Sequence, residues 1–215
     1  MKLNFSIITV ISLSLCLGLF VAVSCNGPEF ESTSNAQVAD TKVLQNSLEQ
    51  TATKLAELYN NKNCMEFVNT FPNNFEEFNQ LYGYDDKVGP RILYSKPEHV
   101  TYFFECSEVP VVEKLKKSIE IGINGKWDAD LIGIFQDKTF NLVKSHSIEA
   151  KEILNKLPNE KAASFLYFLL DNPHPNDKEI IKKVDLLNNL LGKSSKLSRL
   201  LSEQYQKVQI DWKEH

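Results

Sequence analysis

The chain has 215 residues, of which 42% are hydrophobic and 24% are charged, a composition typical of one globular domain rather than two. Its formal net charge is -4 at pH 7, with 28 acidic against 24 basic side chains. Binding to nucleic acid by counterion release requires a basic surface, so this charge argues against a nucleic-acid partner.

The first 25 residues have the pattern of a signal peptide. Lys2 gives a positive start, residues 5–23 carry no charge, and small residues precede Cys25. Residues 22–25 (Ala-Val-Ser-Cys) resemble the lipobox of bacterial lipoproteins, in which the cysteine thiol receives a diacylglyceryl group and the chain is cut just before it. The sequence departs from that pattern at Ala22, where leucine is usual.

The resemblance implies a mature protein that is anchored in the bacterial cell envelope. Residues 1–24 would be removed, and Cys25 would carry acyl chains, palmitate among them, which together anchor firmly. Asn26 stands where an aspartate would favour the inner membrane, so sorting to the outer membrane is implied. The alternative is an uncleaved membrane helix, because residues 5–23 are just long enough to cross a bilayer.

The chain then changes from a polar tether to a helical domain. Residues 25–40 are polar and lack hydrophobic periodicity, so we expect a flexible tether that leads to a helical domain at residues 41–215. The apolar spacing from Val43 onward predicts a helix of about five turns. Asn74 and Glu77 have the spacing of an N-cap and its capping partner, and they predict the start of a further helix.

The middle of the chain contains a predicted loop and a predicted helix, part of which could instead be a strand. Residues 83–90 are rich in glycine and aspartate, and they predict a loop. Ser95 and Glu98 flank a proline in the first turn of a predicted helix. Residues 102–104, taken alone, could form a strand instead.

The remaining segments predict further helices. Residues 112–123 carry a helical stripe, and Asn124 and Gly125 favour its C-terminus, although an Asn-Gly pair can also form a hairpin. Further helices are predicted at residues 131–143, 148–157, 162–170 and 176–191 and from Ser194, with Asp128 or Asp130, Asn176 and Ser194 as caps. About eight helices and almost no convincing strand predict an all-α fold, either a compact multi-helix bundle or a short helical array.

Two cysteines remain for the mature domain. Cys16 lies in the signal and Cys25 is assigned to the lipid, which leaves Cys64 and Cys106. In an oxidising compartment these two could form a disulfide. Both lie on apolar segments, however, where a free cysteine behaves as a small hydrophobic residue.

The sequence predicts no enzyme, cofactor or metal site. The four histidines form no H-E-x-x-H motif, and the pair of His146 and Glu149 is typical of a solvated helix face. There is no G-x-S-x-G nucleophile elbow. Adjacent acids such as Glu76 and Glu77 are far commoner on surfaces than in catalytic pairs.

The aromatic residues separate into a predicted core and a predicted binding surface. Aromatic side chains at helical spacing are expected to pack inside, and those in loops are candidates for binding. The expected core residues are Phe67, Phe71, Phe75, Phe78 and Tyr82. The candidate binding residues are Tyr84, Asp85, Asp86, Tyr94, Trp127 and Asp128.

These features favour a lipid-anchored interaction protein of the envelope, without catalytic activity and with a protein partner. One concrete version is an immunity-type protein that masks a rival's toxin, and another is a scaffold; both rest on analogy. The alternative from another class is an envelope enzyme or a glycan-binding accessory lipoprotein.

Overall fold

A computed structural model describes the chain at residues 33–128 and 130–213, with side chains described from residue 45 onward within those ranges. Internal contacts divide the chain into two units, residues 1–39 and residues 40–215. In the first unit, the described residues are the opening turns of one helix. All other described helices belong to the second unit.

Most of the predicted N-terminal features lie outside the described residues. These features are the signal peptide, the lipidated Cys25 and the chain up to residue 32. The first described helix, α1 (Thr33–Asn60), includes the last residues of the predicted tether. No described helix is both long and apolar enough to cross a membrane.

Helices make up most of the residues that the structure describes, which confirms the predicted all-α fold. After α1, the helices are α2 (Cys64–Thr70), α3 (Phe75–Tyr82), α4 (Pro97–Glu105), α5 (Val111–Gly122), α6 (Leu131–Ser145), α7 (Ser147–Lys156), α8 (Asn159–Leu170), α9 (Lys178–Leu191) and α10 (Lys196–Asp211). The one described sheet pairs β1 (Tyr84–Asp85) with β2 (Gly89–Pro90) in antiparallel register. The described ranges thus hold ten helices, where about eight were predicted.

Side chains near helix starts cap α3 and α10. The side-chain oxygen of Asn74 accepts a hydrogen bond from the backbone N–H of Glu77 at 2.9 Å, which confirms the predicted cap of α3. At α10 the prediction was wrong by one residue. Ser195 accepts the bond from the N–H of Ser198 at 3.1 Å, because Ser194 has a φ of 63° and belongs to the preceding turn.

Two other predicted caps make tertiary contacts instead. Helix α9 starts after Asp177 rather than Asn176, and the Asn176 side chain accepts a hydrogen bond from Gln209 at 2.7 Å. Asp130 stands at the N-cap position of α6 without a capping bond, because its carboxylate accepts a hydrogen bond from the hydroxyl of Tyr94.

The structure decides between the alternative secondary structures that the sequence left open. Residues 102–104 lie inside α4, so the strand alternative is wrong. Asn124 adopts a φ of 61° and the N–H of Gly125 donates to the carbonyl of Gly122 at 3.1 Å, so this pair ends α5 and forms no hairpin. Residues 83–90, predicted as a loop, contain the short β1–β2 hairpin.

Aromatic side chains fill the centre of the second unit. The ring centroid of Phe71 lies 4.6 Å from that of Phe103 and 5.6 Å from that of Tyr82. Phe135 lies 4.7 Å from Phe78 by the same measure. Each buried phenylalanine stabilises the fold by about 1.5–3 kcal/mol. Four of the five residues predicted for the core are buried, which confirms the prediction for Phe67, Phe71, Phe78 and Tyr82. The fifth, Phe75, is only partly buried.

A disulfide and two lysines connect three helices. Cys64 and Cys106 are bonded, with Cα atoms 5.5 Å apart, and they join the start of α2 to the end of α4. On α5, the ammonium of Lys114 donates to the carbonyl of Cys106 at 2.7 Å. Lys117 donates to the carbonyl of Val68 at 2.7 Å. Both lysines therefore satisfy carbonyls near helix C-termini, where a positive charge is favoured.

Helix α8 packs against α5, α6, α9 and α10 and positions the loop that follows α5. In that loop, the backbone N–H of Asn124 donates to the hydroxyl of Ser164 on α8 at 2.7 Å. A Cβ atom added at Gly125 would lie 2.6 Å from a ring carbon of Phe168, so the glycine allows the loop to approach α8 closely. The loop is therefore held beside α8 and α10, where it forms one wall of a groove.

Candidate functional site

The six candidate binding residues lie in two different environments. One group lies in or beside the β1–β2 hairpin, and Trp127 faces a groove that α8 and α10 also line. Asp128 lies close enough to Tyr94 to act on its hydroxyl electrostatically. The residues of the hairpin group are Tyr84, Asp85, Asp86, Tyr94 and Asp128.

Asp85 holds the hairpin turn together. Its carboxylate accepts hydrogen bonds from the backbone N–H groups of Lys87 at 2.9 Å and Val88 at 3.0 Å. It also accepts a bond from the guanidinium of Arg91 at 3.0 Å. The pKa of Asp85 lies below its ordinary value, chiefly because of these two backbone bonds. The charge of Arg91 lowers it further. This carboxylate therefore acts within the hairpin.

Three large hydrophobic side chains in or just after the hairpin are exposed. Tyr84 is 46% exposed, Val88 is 74% exposed and Ile92 is 54% exposed. The ring centroids of Tyr84 and Tyr94 lie 5.8 Å apart. We call the region formed by Tyr84, Asp86, Val88, Ile92 and Tyr94 the hairpin surface.

The hairpin surface has an acidic border. The hydroxyl of Tyr94 donates a hydrogen bond to the carboxylate of Asp130. That bond raises the pKa of Tyr94, and the negative charges of Asp130 and Asp128 raise it further. Since Asp86 also lies on this hairpin, the apolar area adjoins several carboxylates.

Trp127 lies in a groove of about 880 Å³. We call it the tryptophan groove, and the residues that define it are Trp127, Tyr167, Asp171, Lys207, Asp211 and Trp212. The ring centroids of Trp127 and Trp212 lie 6.0 Å apart, with their planes at 73°. The two indoles are therefore nearly perpendicular to each other in the lining of the groove.

Asp171 positions both tryptophans. One carboxylate oxygen accepts a hydrogen bond from the backbone N–H of Trp127 at 2.7 Å, and the other accepts one from the indole N–H of Trp212 at 2.8 Å. The side chain of Gln136 donates to the backbone carbonyl of Asp171 at 2.8 Å and fixes the turn after α8. Burial raises the pKa of Asp171, and its two N–H donors oppose that effect.

Tyr167 forms another wall of the tryptophan groove. Its hydroxyl donates to the carboxylate of Asp211 at 2.9 Å, and the ammonium of Lys207 lies 5.1 Å from its ring centroid. Burial first, and then the bond to Asp211, raise the pKa of Tyr167 well above its ordinary value. The phenol therefore stays neutral and acts as a donor.

Sequence reasoning found Trp127 and missed its neighbours in the groove. Asp171 follows the last turn of α8, and Trp212 follows α10. Asp171 lies 44 residues from Trp127 and 41 from Trp212 along the chain. No local pattern signals contacts at such separations.

The chemistry of the described residues suits binding. No group of His, Cys, Asp and Glu within the described ranges could hold a metal ion. The carboxylates of Asp171 and Asp211 accept hydrogen bonds from tryptophan and tyrosine donors, which keeps aromatic rings in fixed positions along the groove. A comparison of this chain with protein-family models, curated proteins and solved structures finds no match.

Proposed function

We propose that this chain is a lipid-anchored interaction protein of the bacterial cell envelope, without catalytic activity, that binds a protein partner through the hairpin surface. The exposed apolar area of the hairpin carries the proposal. Of the seven large hydrophobic side chains that are exposed among the described residues, three lie within residues 84–92. Exposed large hydrophobic side chains that lie close together in the sequence favour an interaction site, and tyrosine is a common anchor in interfaces.

The charges around the hairpin surface favour a partner with a basic face. Asp86 is exposed on the hairpin, and Asp128 and Asp130 create the negative field that acts on Tyr94. Complementary charge accelerates encounter and disfavours wrong partners. An immunity-type protein that masks a basic face of a toxin has this chemistry, and so does a scaffold for a basic envelope protein.

The anchor and the location are supported by residues 22–25. A small-residue run that ends in cysteine, after an uncharged segment and a single Lys2, is the pattern of lipoprotein export. Asn26 after the cysteine supports the outer membrane as the destination. A non-catalytic role is supported by the hydrogen bonds that engage Asp85 in the turn and Asp171 with Trp127 and Trp212.

Site-directed photo-cross-linking in the source bacterium tests the partner. A photo-reactive amino acid replaces Tyr84 and, as a matched control, Ile148, which is 73% exposed on α7. We expect one discrete protein adduct from the Tyr84 position and none from the Ile148 position. The charge reversal Asp86→Lys should reduce the yield of that adduct, because it repels a basic partner.

Two outcomes would contradict the proposal. Identical adducts from the Tyr84 and Ile148 positions would indicate chance collisions, and no adduct at Tyr84 would leave the hairpin surface without a partner. An adduct whose yield rises in Asp86→Lys would show that the partner presents an acidic face.

A further inference from the structure

The tryptophan groove has the size and shape of a ligand site. Its volume of about 880 Å³ lies within the range of about 300–1,000 Å³ that is usual for pockets that enclose a small organic ligand. It is partly open to solvent, and residues from α8, α10 and the loop after α5 line it. A ligand can therefore enter it directly from solvent.

The two indoles are held in place before any ligand arrives. Asp171 is only 5% exposed, and it accepts one hydrogen bond from the Trp127 backbone and one from the Trp212 side chain. Trp127 and Trp212 are both half-buried, and both still line the groove. A site whose side chains are fixed in advance loses less entropy when it binds.

The charges in the groove select against an ionic ligand. Its lining includes the basic residues Lys126 and Lys207 and the acidic residues Glu160, Asp171 and Asp211. A cation or an anion would lie near a group of its own sign, and burial of such a contact is costly. A neutral ligand avoids that cost and can still use the charged groups as donors and acceptors.

The polar and aromatic groups together match a ligand with hydroxyls on its edge and C–H groups on its face. Asn124, Ser164 and Gln204 add both donors and acceptors to the lining. The negative face of an indole attracts the weakly positive C–H groups of a flat ring. Sugar rings have this combination of an apolar face and a hydroxylated edge.

We propose that the tryptophan groove binds a neutral saccharide chain, with sugar rings stacked on the indoles of Trp127 and Trp212. Polar side chains along α8 and α10 bind the sugar hydroxyls. The tryptophan groove and the hairpin surface are formed by different residues. Saccharide binding is therefore a second activity, and it does not depend on the protein partner.

The chain provides its own reporter for this site. It contains only two tryptophans, and both line the groove, so intrinsic tryptophan fluorescence reports on the groove alone. The purified full chain in detergent is titrated with soluble oligosaccharides of glucose, xylose and N-acetylglucosamine. Oligogalacturonate is the acidic saccharide arm, and a tryptic digest of gelatin, which contains no tryptophan, is the peptide arm. We expect a saturable change in fluorescence with a neutral oligosaccharide and none in the other two arms.

Variants connect the signal to the two indoles. Trp212→Ala should raise the dissociation constant roughly fivefold or more, the loss typical of an aromatic anchor. Trp127 remains as the reporter in that variant. Trp212→Phe keeps a ring in the groove, so it tests the same contact if the alanine variant fails to fold, and it should weaken binding less. Tyr84→Ala changes only the hairpin surface and should bind the saccharide like the unchanged protein.

Three results would overturn the saccharide assignment. The first is the absence of a fluorescence change with every neutral oligosaccharide. The second is an unchanged dissociation constant in both Trp212 variants. The third is a response in the peptide or acidic arm instead. None of these results affects cross-linking from Tyr84, so failure of this proposal can be distinguished from failure of the proposed protein partner.

Discussion

At the scale of single residues, His99 is an ionisable group inside the aromatic core. It is 2% exposed, and its ring centroid lies 5.1 Å from that of Tyr59 and 5.6 Å from that of Phe67. Its Nδ1 lies 3.3 Å from the hydroxyl of Tyr82. Burial lowers the pKa of His99 from 6.5, and the charge of Glu98 opposes that effect. The folded protein therefore keeps this imidazole neutral at a pH where the unfolded chain protonates it.

This difference predicts a loss of stability on acidification. As the pH falls below 6.5, the unfolded chain binds a proton at His99 before the folded protein does, so the free energy of unfolding decreases. The variant His99→Gln does not titrate and can still bond Tyr82. Thermal melts at about pH 7 and about pH 5 should show a smaller fall in Tm for the variant. Equal falls in the two proteins would show that other groups cause the acid sensitivity.

At the scale of elements, the packing of α5 against α8 depends on the absence of a side chain at Gly122. A Cβ atom added there would lie 2.8 Å from ring carbons of Phe165 and Phe168, and both rings are fully buried. Neither ring can move without disturbing the core. The glycine therefore allows the end of α5 to approach α8 closely.

We expect Gly122→Ala to destabilise the protein. Overpacking of a filled core costs about 1–3 kcal/mol, which exceeds the gain of about 1 kcal/mol from replacing a helical glycine with alanine. Gly133→Ala on α6 is the matched control. Its added Cβ would meet the carbonyl of Asp128 at 3.5 Å and the indole nitrogen of Trp127 at 3.7 Å, which are ordinary contacts. Chemical denaturation should show lower stability for Gly122→Ala and equal or higher stability for Gly133→Ala; the reverse order would refute the packing argument.

Helix positions could be predicted from the sequence because their determinants are local. The Asn74 cap needs only Glu77 three residues later, and the turn after α5 needs only an Asn-Gly pair. Caps at Ser194 and Asn176 were misplaced because their neighbours compete for the same role. At Ser194 the left-handed backbone of the preceding turn decides in favour of Ser195, and at Asn176 a tertiary hydrogen bond from Gln209 occupies the side chain.

At the scale of the whole molecule, the binding surfaces depend on contacts that no local pattern encodes. Trp127 was a candidate because it lies in a loop, but its place beside Trp212 depends on the carboxylate of Asp171, far away in the chain. The bond between Tyr94 and Asp130 likewise joins residues 36 positions apart. Sequence reasoning could therefore nominate aromatic side chains and could not group them into sites.

The proposed anchor connects these binding surfaces to a membrane, and it depends on one thiol. If Cys25 carries the lipid, growth with labelled palmitate should label the unchanged protein, and Triton X-114 should extract it into the detergent phase. Cys25→Ala should abolish the label. Cys16→Ala, within the predicted signal, is the matched control and should keep both the label and the detergent partition.

The same assay separates the lipid from an uncleaved membrane helix. A helix formed by residues 5–23 would bring the full-length chain into the detergent phase without palmitate, in the unchanged protein and in Cys25→Ala alike. A lipoprotein instead loses residues 1–24, so mass spectrometry of the unchanged protein should find Cys25 as its modified first residue. A processed, membrane-bound Cys25→Ala variant would rule out the lipobox, because neither the thiol nor the hydrophobic segment would then explain its retention.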